Sequence, residues 1–338
     1  MGDNGETRGW VADGWEGVRD AFAQNFADGA EVGAAFSAYH RGQKKADLWG
    51  GIADKATGRR WDEDAMIPVF STTKGATAVC ANLLADRGEL DVDAPVVEYW
   101  PEFGGAGKAE IPVSYLLSHQ GGLAWVDGKL TQDEAFAWEP VIRALEKQAP
   151  SWEPGTQHGY HAVTYGYLVG EVVKRISHKS LGTFFSDEVA VPLDLAFWIG
   201  LPESQEHRVG KLVSFADTLG ASEGSGGGEG GGGSEQSMGE LLSAFLGPDN
   251  PLTKALSAPG GAFNGDDIFN SRAMHAAEVP AANGICDARS LARMYASTIG
   301  EVDGIRLLSP EQLKAATTQQ TKGPNTILFD MDLSLIHI

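Results

Sequence analysis

The chain has 338 residues, 42% of them hydrophobic and 21% charged, which is enough apolar content for a sizeable core and excludes global disorder. Its 46 acidic against 26 basic residues give a net charge of −20, which disfavours nucleic acid and anionic membrane surfaces as partners and describes a self-repelling surface. Two cysteines, Cys80 and Cys286, exclude a disulfide scaffold, and with eight scattered histidines they do not make a structural zinc site. No apolar run approaches the roughly 18 residues of a membrane span. The polar start MGDNGETRGW lacks the basic and apolar segments of a secretory signal, so a cytoplasmic location is expected.

In chain order, residues 1–30 predict an amphipathic helix, with Trp15, Val18, Phe22 and Phe26 spaced by three or four. Residues 31–54 predict a hairpin of VGAAFSAYH and KADLWGGIA turning near Arg41-Gly42-Gln43. A helix is expected over 71–87, its stripe formed by Ala76, Val79, Cys80, Leu83 and Leu84, with Gly88 ending it. Further helices are expected over 112–120, 162–176, 287–299 and 309–319, the last opened by Ser309-Pro310. Residues 217–237 are low-complexity, with nine glycines between Gly220 and Gly233, and read as a flexible loop. A G-x-S-x-G match at 220–224 and a dinucleotide-like match on Gly226, Gly228 and Gly231 lie inside it. Neither has the strand-turn-helix setting its chemistry needs.

Ser71-Thr72-Thr73-Lys74 is an S-x-x-K. With 21 Ser and 13 Lys, about one such match arises by chance, so the motif is weak alone. Its setting strengthens it. On a helix, positions 71 and 74 share a face one turn apart, and a lysine whose amine is buried can take the serine proton. The competing reading is a plain helix cap beside a solvated lysine. A second stretch, Trp152-Glu-Pro-Gly-Thr-Gln-His-Gly-Tyr160-His161-Ala162, delivers Tyr160 from a Pro-Gly turn to a helix start. There it can serve as a proton-transfer group if nearby cations lower its pKa.

These stretches, with PVFSTTKGATAVCANLLADRGELDVDAPVVEYWPEF, IPVSYLLSHQGGL and FNSRAMHAAEVPAANGICDARSLARMYAS, resemble the serine β-lactamase and penicillin-binding-protein superfamily. They are most similar to its class C-like branch with the family VIII carboxylesterases. The resemblance runs from about residue 30 to about 320, in the family's order. It implies an α+β fold in which an antiparallel sheet flanked by helices joins an all-helical domain. It places the first at 1–66 and 285–338, the second at 67–284, and the nucleophile at their junction. It implies Ser71 as the acylated nucleophile, Lys74 as its base or proton relay and Tyr160 as the third member. The Ser71 N–H would be one oxyanion donor.

Three departures qualify it. Ala162 stands where lactam-processing members carry Asn, which leans toward short-chain carboxylic esters. No late K-T-G or H-x-G-like box follows residue 285, and the last strands and helix of the family are not found. A truncated or chimeric frame is therefore expected, with weakened catalysis and an open sheet edge at Val32, Ala34 and Phe36. The 217–237 insertion lengthens a loop at small cost.

Trp125, Trp152 and His161 are candidate substrate-groove residues, although aromatics at such places as Trp125 and Trp152 are more often packing, and His161, like His158, reads at least as well as a turn histidine with a solvated ring. His119 reads as core, His158 as a groove or a turn residue, Asn283-Gly284 as a structural turn near the site, and Cys80 as inert. No metal or organic cofactor is implied, and the expected partner is a small-molecule ester. The alternatives are a β-lactamase or D-Ala-D-Ala peptidase, and a non-catalytic member of the fold.

Overall fold

The computed structural model describes residues 7–213, 246–265 and 267–328. The low-complexity stretch 217–237 and both motif matches inside it lie outside the described residues. A strand, β1 (Arg8–Val11), precedes the first helix, α1 (Glu16–Ala27), so the helix expected over 1–30 is confined to its second half. Phe22 is the buried anchor of α1 and meets Phe26 edge-on at 5.4 Å.

The hairpin forms as expected from β2 (Gly33–His40) and β3 (Gln43–Asp54), with Phe36 opposite Leu48 and Ala38 opposite Ala46. Arg41 and Gly42 both take positive φ, 53° and 74°, the two-residue turn whose twist matches that of paired strands. The antiparallel order is β1-β3-β2, and the short β4 (Arg59–Arg60) also pairs with β3. Strand β3 is central, and its Ala46 and Leu48 are fully buried.

A second, smaller sheet positions the site. Strand β5 (Ile67–Pro68) is followed by a 3₁₀ turn, Phe70–Thr72, and by α2 (Thr73–Asp86). Then come α3 (Val113–Leu117), α4 (Gln132–Phe136), α5 (Glu139–Lys147), α6 (Thr164–Ser177), α7 (Leu181–Phe185) and β6 (Phe197–Trp198). The chain continues through α8 (Pro251–Leu256), α9 (Arg272–Ala276), β7 (Ile285–Cys286), α10 (Ala288–Ile299) and α11 (Pro310–Ala316). Strand β7 lies between β5 and β6, and Cys286 faces both Ile67 and Phe197.

Helix α2 runs through the middle of the molecule, buried from Thr73 to Leu84, and packs against α6 and α7. Val79 and Leu84 on α2 share one apolar cluster with Leu168 and Val172 on α6 and with Met294, Leu307 and Leu308 near the C-terminal end. That core is continuous across residue 285. Both cysteines are buried, and burial pushes their thiols up, away from reactivity. Ser309 caps α11 by accepting the Gln312 N–H.

Lys108 is a buried cation used as a helix clamp. Its Nζ donates to the carbonyls of Glu146 (3.0 Å) and Gln148 (2.6 Å) at the end of α5. The last carbonyls of a helix have no intrahelical donor, so this side chain satisfies them. Lys108→Met keeps the stem and removes both bonds. The expected loss is about 2–3 kcal/mol, the scale of buried hydrogen bonds to a charged group. A urea midpoint unchanged from wild type would contradict it.

Candidate active site

Three side chains from two distant stretches converge on one oxygen. Ser71 lies in the 3₁₀ turn ahead of α2 and is exposed, while Lys74 one turn later is buried. Lys74 Nζ is 3.2 Å from Ser71 Oγ. It also donates to the carbonyls of Ala162 (2.6 Å) and Ala281 (2.9 Å). Tyr160 reaches the same serine, its hydroxyl 2.5 Å from Ser71 Oγ.

The geometry around Nζ has a direct chemical meaning. A neutral amine has two N–H bonds and one lone pair. The two carbonyls take both N–H bonds, which leaves the lone pair for the Ser71 hydroxyl. Burial lowers the Lys74 pKa to about 7, so the neutral form is accessible near neutral pH. The amine also lies 4.8 Å from the Tyr160 ring centroid. The arrangement can therefore move a proton off Ser71.

Tyr160 differs from expectation in its electrostatics. Burial raises its pKa, and the hydrogen bond with Ser71 offsets this only in part. The phenol thus stays protonated and is an O–H donor rather than a phenolate. It also sits in a loop four residues ahead of α6, not at the helix start.

Backbone supports fix these positions. The turn after Val279 carries Ala281, and Gly166 on α6 lies against it; a Cβ on Gly166 would stand 2.6 Å from the Ala281 nitrogen. The same turn supplies the Pro280 carbonyl to Thr77 and the Gly284 N–H to Thr73. Asn283-Gly284 is the turn expected beside the site, and Asn283 ties it internally through Val279, Met274 and Ala277. Asn325, which sequence reasoning missed, accepts the Tyr160 N–H at 3.3 Å, and Ile327 packs beneath the same loop. Neither the carbonyl ligands of Lys74 nor Asn325 carries a motif, because their contribution is positional.

The groove candidates separate. Trp125 and Trp152 pack with Tyr160 around Ala124, Ala255 and Ile327. Trp125 also lines a cleft of about 480 Å³, where Lys254 Nζ stands 5.8 Å from its ring centroid. His161 does not line the groove, which corrects the expectation. It is fully buried, its Nε2 accepts the Leu123 N–H (2.9 Å) and its Nδ1 meets the Gly159 carbonyl (2.6 Å). Both ring nitrogens serve the backbone, so none remains for a substrate. His119 is core, as read from the sequence, and its Nδ1 accepts the His161 N–H.

These histidines set an acid limit on stability. Burial lowers the pKa of His161 to about 4 and that of His119 well below its ordinary value. An unfolded histidine takes its proton near pH 6.5 while the folded one stays neutral, so stability falls as pH drops from about 6.5 toward the folded value. Each histidine so held contributes a slope of about 1.4 kcal/mol per pH unit. His161→Gln keeps a donor and an acceptor, and is expected to remove one histidine's share of that slope. Urea denaturation of wild type and variant between pH 7 and 4.5 measures it; equal slopes would refute the assignment.

A serine hydroxyl in the turn ahead of α2, within reach of a buried amine and a protonated phenol, is an arrangement able to carry serine acyl-transfer chemistry. Comparison with known proteins agrees. Residues 18–331 match the beta-lactamase family model, and the chain belongs to that family. It is 35% identical over 320 residues to "Esterase/beta-lactamase LipL" of Mycobacterium tuberculosis (strain ATCC 25618 / H37Rv), covering 93% of this chain and 68% of that protein. A family VIII carboxylesterase crystal structure shares 34% identity, with a TM-score of 0.82 over 98% of this chain and 82% of that one. A penicillin-binding-protein homologue from Caulobacter crescentus shares 32%, with a TM-score of 0.81 over 98% and 82%. The protein is a serine hydrolase with the β-lactamase and penicillin-binding-protein fold. Among the described residues, no helix is long and apolar enough to cross a membrane, and no group of three metal-ligating side chains is present.

Proposed function

We propose that the chain cleaves short-chain carboxylic esters through an acyl-enzyme on Ser71. The observation that carries this is the pairing of Lys74 Nζ with Ser71 Oγ while two carbonyls occupy the amine's other positions. Lys74 takes the hydroxyl proton as Ser71 Oγ attacks the ester carbonyl carbon. The Ser71 N–H is one donor to the resulting oxyanion. Tyr160 gives its proton to the departing alkoxide as the C–O bond breaks, and is reprotonated from Lys74. Water then attacks the acyl carbon as Lys74 takes its proton, and Lys74 returns that proton to Ser71 Oγ as the acyl–oxygen bond breaks and the carboxylic acid leaves.

Esters are favoured over lactams because Ala162 offers no side-chain amide beside the site. The relative from Mycobacterium tuberculosis is named both esterase and beta-lactamase, which keeps β-lactam hydrolysis as the second reading. The test is the mass of the Ser71 peptide after brief exposure to p-nitrophenyl acetate and, separately, to nitrocefin. An acetyl adduct with p-nitrophenol release supports the ester reading. An adduct from nitrocefin alone transfers it to lactams. No adduct from either, on folded protein, supports a non-catalytic member of the fold.

A further inference from the structure

Phe70, the residue immediately before Ser71, is held in a costly arrangement. Its φ is +43°, a region that an aromatic residue enters only under constraint. Its ring is 44% exposed beside an exposed Ser71, whereas most large apolar side chains here are buried. The constraint is identifiable. The Phe70 carbonyl accepts from the Thr73 hydroxyl (2.5 Å), and that hydroxyl in turn accepts the Gly284 N–H (2.8 Å). The Val69 N–H donates to the Gly284 carbonyl, so Gly284, the residue before β7, holds the turn through both its N–H and its carbonyl.

The ring has a partner. Phe269 meets it with centroids 4.9 Å apart and planes inclined by 57°. Phe269 is anchored independently of the nucleophile turn, since its carbonyl contacts His275 Nε2 (2.8 Å) while His275 Nδ1 contacts Glu206 (2.8 Å). His275 is itself buried. Two rings in contact, one of them on the residue that precedes the nucleophile, thus stand partly exposed where the chain enters the Ser71 turn.

We propose that Phe70 and Phe269 form a fixed apolar wall against one arm of the ester, so that the enzyme favours esters whose arm there is an alkyl chain or an aryl ring over those with a one- or two-carbon arm. This rests on the ester reading of Ser71. An ester carbonyl placed on Ser71 Oγ sends its acyl and alcohol arms in opposite directions. The arm passing residue 70 meets ring surface, and its apolar area leaves water against a surface that needs no rearrangement.

The test uses kcat/KM for two pairs of esters on the full chain. p-Nitrophenyl acetate and p-nitrophenyl hexanoate vary the acyl arm; ethyl acetate and benzyl acetate vary the alcohol arm. Phe269→Ala leaves the hydrogen bonds of the nucleophile turn in place and is expected to shrink the larger-to-smaller preference in one pair by about tenfold, the scale of a lost apolar contact in a substrate pocket. Phe70→Leu, which keeps an apolar side chain on the strained residue, is expected to act on the same pair. Ratios unchanged within about twofold in both pairs, or a common fall for all four substrates, would overturn the wall while leaving the ester reading intact. Absence of wild-type turnover on every ester would overturn the ester reading and the wall with it.

Discussion

Ser71→Ala is expected to lower kcat/KM on p-nitrophenyl acetate by about 10⁴-fold or more, with almost no effect on stability. Removing the nucleophile of a catalytic set costs about as much as removing the whole set, because the remaining members have nothing to act on. Here both Lys74 Nζ and Tyr160 Oη reach the same Ser71 Oγ. Without it neither proton transfer has a substrate. The stability side is equally specific. Ser71 is exposed, and the turn around it is held by Thr73, Val69 and Gly284. An exposed hydroxyl of this kind is worth within about 0.5 kcal/mol. Activity within tenfold of wild type, in a variant with an unchanged thermal midpoint, would exclude Ser71 as nucleophile.

The second large effect concerns the protonation state of Lys74. Burial holds its pKa at about 7, and only the neutral amine has a lone pair for the Ser71 proton. The base form therefore grows tenfold per pH unit below that value and saturates above it. kcat/KM is expected to rise with unit slope up to about pH 7 and then level off. Tyr160 adds no falling limb before pH 10, because burial moves its ionisation upward. Lys74→Arg separates base from charge. Guanidinium keeps the positive charge and has no lone pair at any accessible pH. The expected loss is about 10³-fold or more at every pH, in line with removal of a general base. An arginine variant that retained activity, or a wild-type profile flat through pH 7, would show that Lys74 acts by charge alone.

The chain itself determined those features whose cause lies within a few residues. The apolar stripe from Ala76 to Leu84 makes a helix, and the three-residue step from Ser71, in the turn that leads into it, to Lys74 in its first turn brings the two side chains within reach of each other. Arg41-Gly42 between two alternating runs makes the tight hairpin, and Ser309-Pro310 opens α11. The family's ordered motifs made the fold class legible as well. Strand β1 escaped notice because four residues, RGWV, carry too little alternation to announce a strand. It forms because Trp10 and Val11 find Asp47 and Ala46 on β3.

The geometry of the candidate site was decided at longer range. Tyr160 meets Ser71 across 89 residues, and Lys74 meets the Ala281 carbonyl across 207. A backbone carbonyl has no sequence signature, since every residue carries one, and only its placement makes it a ligand. The same holds for His161. Its type suits a groove or a core equally, and the choice fell to whichever polar groups the packed chain left unpaired around it, here the Leu123 N–H and the Gly159 carbonyl. Spacing acts through the rigid turn of one helix. Partnership between distant segments is set by burial, which forces each enclosed polar atom to find a mate among whatever neighbours the fold supplies.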